Sequence, residues 1–369
     1  MMTRKDFLPG VRRLVVKVGS AVLTGKGGAL DAGPVAALAE QIDSLVSSGR
    51  ETVLVTSGAI GAGIAELGLD SRPTALPQLQ AAASVGQSHL MEAYNRSFKK
   101  HGHHAAQILL TREDFDDRTR YLNVRNTVNA LFAMGAIPVI NENDAVSVDE
   151  IRFGDNDLLS ALVASLLGAD LLILLSVVDG LLDAGGKVVS TVGRVTEEIR
   201  SLDLGTKTAR GTGGMASKFD AAAMATLAGQ AVVIANGAAP RVLERIMAGD
   251  ELGTFFVPRR RKTASRKRWF AARTTRGTIN VDDGARRAVI ERGKSLLPSG
   301  IVSVSGAFRK GDTVGIAGPG GKTFAYGLVN LASEDLAKVC GMRSGQARRV
   351  LGGAAYDEAV HRDNMLIQE

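Results

Sequence analysis

Up to Pro258, short runs that are apolar almost throughout alternate with longer stretches in which apolar residues recur every three or four positions. The short runs are LVVKV, TVLVTS, AQILLT, IPVIN, LLILLS and AVVIA. They lack the polar alternation of a half-exposed strand, so they predict strands buried on both faces. Helix candidates lie between them, at Asp31 to Ser48, Ala59 to Leu67, Leu79 to Lys100, Tyr121 to Met134, Leu158 to Leu167 and Met215 to Ala228. This alternation predicts an α/β domain: a three-layer sandwich with a mostly parallel sheet in the middle and ligands at the carboxyl ends of its strands.

After Pro258 the pattern changes. GTINV, GIVSVSG, DTVGIAG and TFAYGLV are short and separated by Gly, Pro and Asp turn signals, with helical stretches only near Asp283 to Arg292 and Ser333 to Val339. This is the pattern of a small β-rich barrel or sandwich. A length of 369 residues agrees with two domains at roughly 150 residues each. The run RRRKTASRKR, Arg259 to Arg268, separates them and holds seven basic residues and no acidic one. It accounts for the whole net charge of +7, so the excess is local. A tract like this reads as a solvated hinge, or as a polyanion contact.

Composition removes several other classes. No apolar run reaches the ~18 residues of a membrane span. The basic start MMTRKDFLPGVRR passes into LVVKVG without the apolar region of an export signal. Cys340 is the only cysteine, which excludes an intrachain disulfide and a cysteine zinc cluster and suits a reducing cytoplasm. Aromatic content of 4% leaves no stacking platform for single-stranded nucleic acid on the large domain.

The candidate chemistry sits where the strands end. In KVGS, Lys17 lies inside an apolar strand, and a buried lysine needs an anion. TSGAIGAG, Thr56 to Gly63, runs from a strand through glycines into a helix; the exposed N–H groups and the Ser57 hydroxyl suit a carboxylate or a phosphate equally. VINENDAV and FGDND cluster Asn141, Glu142, Asn143, Asp144, Asp155, Asn156 and Asp157, more polar side chains than a structural turn needs. Such a set suits an amino group, Mg²⁺ or a catalytic lysine, and Asp155 or Asn156 can also cap the helix that follows. GTGGMASK combines glycines for close phosphate approach, hydroxyls at Thr212 and Ser217, and Lys218 at a helix start. If Lys17 and Lys218 converge, they can neutralise a phosphoryl group in transfer, where positioning and electrostatics do nearly all the work.

Two other stretches are decoys. GPGGKT, Gly318 to Thr323, imitates a P-loop but joins two β segments and predicts a hairpin turn. HGHH, His101 to His104, ends a long helix without further ligands at metal spacing and predicts a solvated terminus.

Taken in order, LVVKVGSAVLT, VTSGAIGAG, LLTREDF, PVINENDAV, FGDNDLLSALVA and GTGGMASK resemble the glutamate 5-kinase family of the amino acid kinase superfamily. RGTINVDDGA, SLLPSGIVSVSG and AVHRDNM continue the resemblance into a C-terminal PUA domain. It implies a kinase domain over residues 8–258, a basic linker over 259–275 and a PUA-like barrel over 276–353. The implied activity is ATP- and Mg²⁺-dependent phosphorylation of the L-glutamate side-chain carboxylate, the first step toward proline. Lys17, Lys218 and Asp157 are the implied catalytic set, and Ser57, Asp144 and Asn156 the implied glutamate site. Lys17, Ser176, Val177, Thr212, Gly213, Gly214, Met215, Ala216, Ser217 and Lys218 are the implied nucleotide contacts, with no dedicated protein ligand for a metal. Val177 stands where many members carry aspartate, which leaves a main-chain contact as its implied role. The resemblance further implies a homo-oligomer, feedback inhibition by proline, a functional link to glutamyl phosphate reductase and, through the PUA-like segment, RNA as a partner class.

Overall fold

The computed structural model describes residues 3–25, 29–147, 156–193, 199, 214–259, 275–352 and 358–367. They form two compact units, one built mainly from residues before 263 and the other mainly from those after. In the first unit the strands are β1 (Arg13–Val18), β2 (Glu51–Val55), β3 (Ala105–Leu110), β4 (Ile137–Glu142), β5 (Leu171–Ser176), β6 (Thr191–Val192), β7 (Ala231–Asn236) and β8 (Thr254–Phe256). They make one sheet in the order β3-β4-β2-β1-β5-β7-β8-β6. Each of the six predicted apolar runs is one of its parallel strands. β8 runs antiparallel to β7 and β6 runs parallel to β8, so these two edge strands, too short to carry a pattern, oppose the other six.

Its helices are α1 (Arg4–Phe7), α2 (Ser20–Leu23), α3 (Ala32–Ser47), α4 (Ala59–Glu66), α5 (Leu76–Lys99), α6 (Glu113–Asp116), α7 (Arg118–Ala133), α8 (Asn156–Leu167), α9 (Met215–Leu227) and α10 (Val242–Met247). Asp31 caps α3 by accepting from the Gly33 N–H at 2.9 Å. Helix α5 starts earlier than the apolar period predicts because Pro77 occupies its first turn, where the missing N–H has no partner to lose.

Strand β1 lies between β2 and β5, so the chain leaves it on one side and returns on the other. That makes the carboxyl end of β1 the switch point of the sheet, where an open α/β fold forms its ligand crevice. Two glycines set one wall. A Cβ at Gly63 would lie 1.8 Å from the Ala82 carbonyl oxygen, and one at Gly86 would lie 1.8 Å from that of Ala59. Only glycine at both positions lets α4 and α5 cross this closely. Gly58, which precedes α4, has φ 106, a left-handed value that glycine adopts without steric penalty.

The basic N-terminal stretch contributes one buried charged residue. Arg4 donates through Nη1 to the carbonyls of Asp250 (2.6 Å) and Leu252 (2.8 Å), and through Nη2 to those of Ser190 (2.7 Å) and Gly253 (3.0 Å). It thereby ties the chain start to the segments carrying β6 and β8.

The second unit holds β9 (Gly277–Val281), β10 (Ile301–Gly306), β11 (Thr313–Ala317), β12 (Thr323–Val329) and β13 (Val360–Ile367), in the order β10-β9-β11-β12-β13. Helices α11 (Asp283–Ile290), α12 (Ser333–Val339) and α13 (Ser344–Val350) accompany it. Ile279, Val314, Ile316, Val329 and Leu336 are at the centre of its core. GPGGKT makes the hairpin turn between β11 and β12, with Gly320 and Gly321 at φ 94 and 77. Among the described residues no helix is long and apolar enough to cross a membrane.

Candidate active site

Lys17 is the penultimate residue of β1 and only 4% exposed. The anion it requires is Asp157, fully buried in the first turn of α8, with Oδ1 2.5 Å from Lys17 Nζ. Lys218, in the first turn of α9, is as deeply buried and donates to the other oxygen, Oδ2, at 3.0 Å. The two lysines therefore converge, one on each oxygen of a single carboxylate. Burial works to raise the Asp157 carboxyl, but Lys17 and then Lys218 outweigh it and hold the group below the ordinary aspartate range.

Ser217 joins this centre. Its hydroxyl lies 3.1 Å from Asp157 Oδ2 and 2.8 Å from the Gly214 carbonyl oxygen, so it braces the carboxylate and the helix start. The sequence pattern directs the same hydroxyl to phosphate oxygens. Gly214 precedes α9, and Met215 and Ala216 form its first turn, whose N–H groups have no partner within the helix. Ser176 ends β5, accepts from the Gly237 N–H at 2.8 Å and is followed by Val177, whose side chain is half exposed. Thr212, Gly213 and Asp155 lie outside the described residues.

A second group of side chains is neutral. Asn156 begins α8 and turns its amide Nδ2 toward the Thr56 carbonyl (2.6 Å), Ser57 Oγ (2.9 Å) and Asn141 Oδ1 (2.8 Å). Adjacent residues at the start of one helix thus serve two clusters, Asn156 the neutral one and Asp157 the charged one. Asn156 is a helix residue rather than the cap. Asn141, near the end of β4, donates to Gln87 Oε1 of α5 at 2.8 Å. Thr56 is anchored in turn by its hydroxyl, 2.8 Å from the buried Tyr94 phenol. Asp144, half-buried, occupies the turn after β4. Gln87 and Tyr94 carry no signal in the local sequence, since a long helix facing a sheet always presents some polar residues.

His101 and His103 belong to neither cluster: they stand 3.6 and 3.1 Å from Asp43 on α3, closing the end of α5. Among the described residues no group of His, Cys, Asp or Glu is arranged to hold a metal ion.

A mostly parallel sheet whose strand ends gather two buried lysines on one carboxylate is matched by the model of the amino acid kinase family over residues 12–236, and that of the PUA domain matches residues 277–351. Proteins named glutamate 5-kinase are similar along the whole length. That of Syntrophotalea carbinolica is 48% identical, covering 99% of this chain and 100% of its own. Those of Moorella thermoacetica and Pseudomonas entomophila are 46% and 47% identical over 98% of this chain, and 97% and 100% of their own. The chain belongs to the amino acid kinase family and, within it, to the glutamate 5-kinases.

Proposed function

We propose that the first unit transfers the γ-phosphoryl group of ATP to the side-chain carboxylate of L-glutamate, giving L-glutamyl 5-phosphate and ADP, the first step of proline biosynthesis. The observation that carries this reading is the pair of lysines on opposite oxygens of Asp157, a few side chains from the Ser57–Asn156 cluster. In the reaction a carboxylate oxygen of glutamate forms the new bond to phosphorus as the bond to the ADP oxygen breaks, and that oxygen keeps the electron pair. The nucleophile is already ionised at neutral pH, so no general base is required.

Lys17 and Lys218 then act by charge and position, countering the negative charge that spreads over the transferred group and the leaving oxygen. Asp157 keeps both ammonium groups aimed and limits their mutual repulsion. The first turn of α9, with Gly214, Met215 and Ala216, offers its N–H groups to phosphate oxygens. Ser176 and Val177 border the nucleotide, Val177 through its main chain. Thr212 and Gly213 belong to the same loop by sequence. Ser57 has a proton to donate to a substrate carboxylate, and Asp144 supplies negative charge for the substrate ammonium. Mg²⁺ suits this site as a companion of the ATP phosphates, because both oxygens of Asp157 are taken by lysines. When bound it supplies further charge neutralisation.

The test is hydroxamate formation in hydroxylamine with ATP and Mg²⁺, comparing L-glutamate, aspartate and N-acetylglutamate. A glutamate-selective signal that disappears in a folded Lys218→Ala variant is expected. Absence of signal with every substrate from folded wild type would overturn the assignment.

The PUA match favours a second role, contact of the second unit with RNA. Full-length protein would then bind RNA more tightly than the ~10⁻⁴ to 10⁻⁶ M of non-specific association at physiological salt. Binding no tighter than that range removes this role and leaves the kinase reading intact.

A further inference from the structure

The neutral cluster has a direction. Asn156 Nδ2 faces three acceptors, one of them the Thr56 main-chain carbonyl, which cannot exchange roles. Turning the amide over would set Asn156 Oδ1 against the Thr56 carbonyl and Asn141 Oδ1. Asn141 is fixed in the same way: its Oδ1 accepts from the Glu142 main-chain N–H at 2.9 Å as well as from Asn156, which obliges its Nδ2 to donate to Gln87 Oε1. Gln87 in turn donates through Nε2 to Gln107 Oε1 of β3 at 3.3 Å. Every amide passes a hydrogen from its nitrogen to the oxygen of the next, and the Thr56 carbonyl and the Glu142 N–H set the sense of the chain.

The series leaves one buried group over. Asn156 Oδ1 has no hydrogen-bond partner among the described residues. A buried acceptor left unpaired is costly, so a donor from water or from a ligand is favoured beside it. With Nδ2 already facing three acceptors, Oδ1 is all that Asn156 has to offer a ligand, and an oxygen of this kind takes a hydrogen-bond donor, best a charged one.

We propose that Gln87 is a positioning residue for the amino group of the substrate: through Asn141 it holds Asn156 with its carbonyl presented to the substrate ammonium, so the relay selects acceptors that carry a free α-ammonium. This rests on the assignment of Ser57, Asp144 and Asn156 to the glutamate site. Gln87 is only 8% exposed, so loss of its oxygen strands the Asn141 amide, with no water to replace the partner. Asn141 then rotates or withdraws, and Asn156 loses the acceptor that completes its orientation. The phosphoryl-binding lysines are held by Asp157 and should be untouched.

Glutarate, which is glutamate without the ammonium, separates the relay from general damage. Steady-state kinetics with both acceptors are measured for wild type, Gln87→Met and Gln87→Glu. Wild type is expected to prefer glutamate. In Gln87→Met the KM for glutamate rises about tenfold, kcat stays within about twofold, and glutarate and ATP parameters hold, so the preference falls by the same factor. Gln87→Glu, protonated in this buried place, copies both the acceptor and the donor of glutamine and keeps the preference. If Gln87→Met does not fold, Gln87→Asn, one methylene too short to reach Asn141, gives the same reading. An unchanged glutamate-to-glutarate ratio, or equal loss on both acceptors, overturns the relay. Wild type equally active on both acceptors also overturns it. A wild type silent on glutamate overturns instead the assigned activity.

Discussion

The charged and the neutral halves of the site solve the same problem, holding a polar group rigid where water is scarce, by opposite means. At Asp157 the order comes from charge: two buried cations and one buried anion have no comfortable arrangement other than contact. At Asn156 it comes from geometry, a series of amides whose donors and acceptors fit in only one sense. Charge tolerates small displacements but fails severely when a partner is lost. Directional hydrogen bonds fail gently in energy yet lose their information completely once an amide turns over.

That contrast is broken most severely by Asp157→Ala, which leaves two buried ammonium groups side by side. Denaturant unfolding should report a loss of about 3–5 kcal/mol, and kcat should fall by at least about 10². A stability change below about 1 kcal/mol would mean that the lysines find water instead, and that the centre is not rigid.

Acid sharpens the comparison, because the charged half titrates and the amides do not. The folded Asp157 pKa is depressed, so its contribution to stability is complete above the unfolded value of about 3.9 and is lost as pH falls through the folded one. Unfolding free energies measured between about pH 5 and pH 2 should fall more steeply in wild type than in Asp157→Asn. Equal slopes would show that the carboxyl is not held by its lysines.

Smaller effects belong to the neutral half and to the nucleotide border. Ser57→Ala removes one hydroxyl and one acceptor of the Asn156 amide; the glutamate KM should rise about three- to tenfold, the size of one net hydrogen bond, with kcat nearly constant. A fall in kcat without a change in KM would move Ser57 to the phosphoryl side. Val177→Asp should change the ATP KM by less than about tenfold, or 1.4 kcal/mol, since the Val177 side chain is half exposed. A larger change would mean that the side chain, rather than the main chain, touches the nucleotide.

Much of this molecule was legible in its sequence. The apolar runs and helical periods match observed elements within a few residues because strands buried on both faces leave no polar alternation to misread. β6 and β8 escaped because two or three residues carry no period, and β13 because it contains the polar segment His361, Arg362, Asp363 and Asn364. Within the site, Lys17, Ser57, Asn156, Asp157 and Lys218 stood out as polar residues at strand ends or helix starts. The convergence of the two lysines entered only as a condition and their grouping with Asp157 only through the family resemblance, because each contact joins residues far apart in sequence. Gln87 was invisible for that reason, and Arg4 because a basic chain start looks like surface until four carbonyls are found around its guanidinium.

The paired residues at the start of α8 have a consequence for how such a site diversifies. Asn156 and Asp157 share one backbone turn, so any shift of that turn moves the amide proposed for the acceptor and the carboxylate proposed for the phosphoryl side together. A lineage that tries a new acceptor by changing α8 disturbs the transfer machinery in the same step. On the proposed roles, changes at Gln87 or Ser57, which belong to other segments, reach the acceptor alone. Novelty in what is phosphorylated should therefore collect on the α4–α5 side of the crevice, while the first turn of α8 stays constant from one specificity to the next.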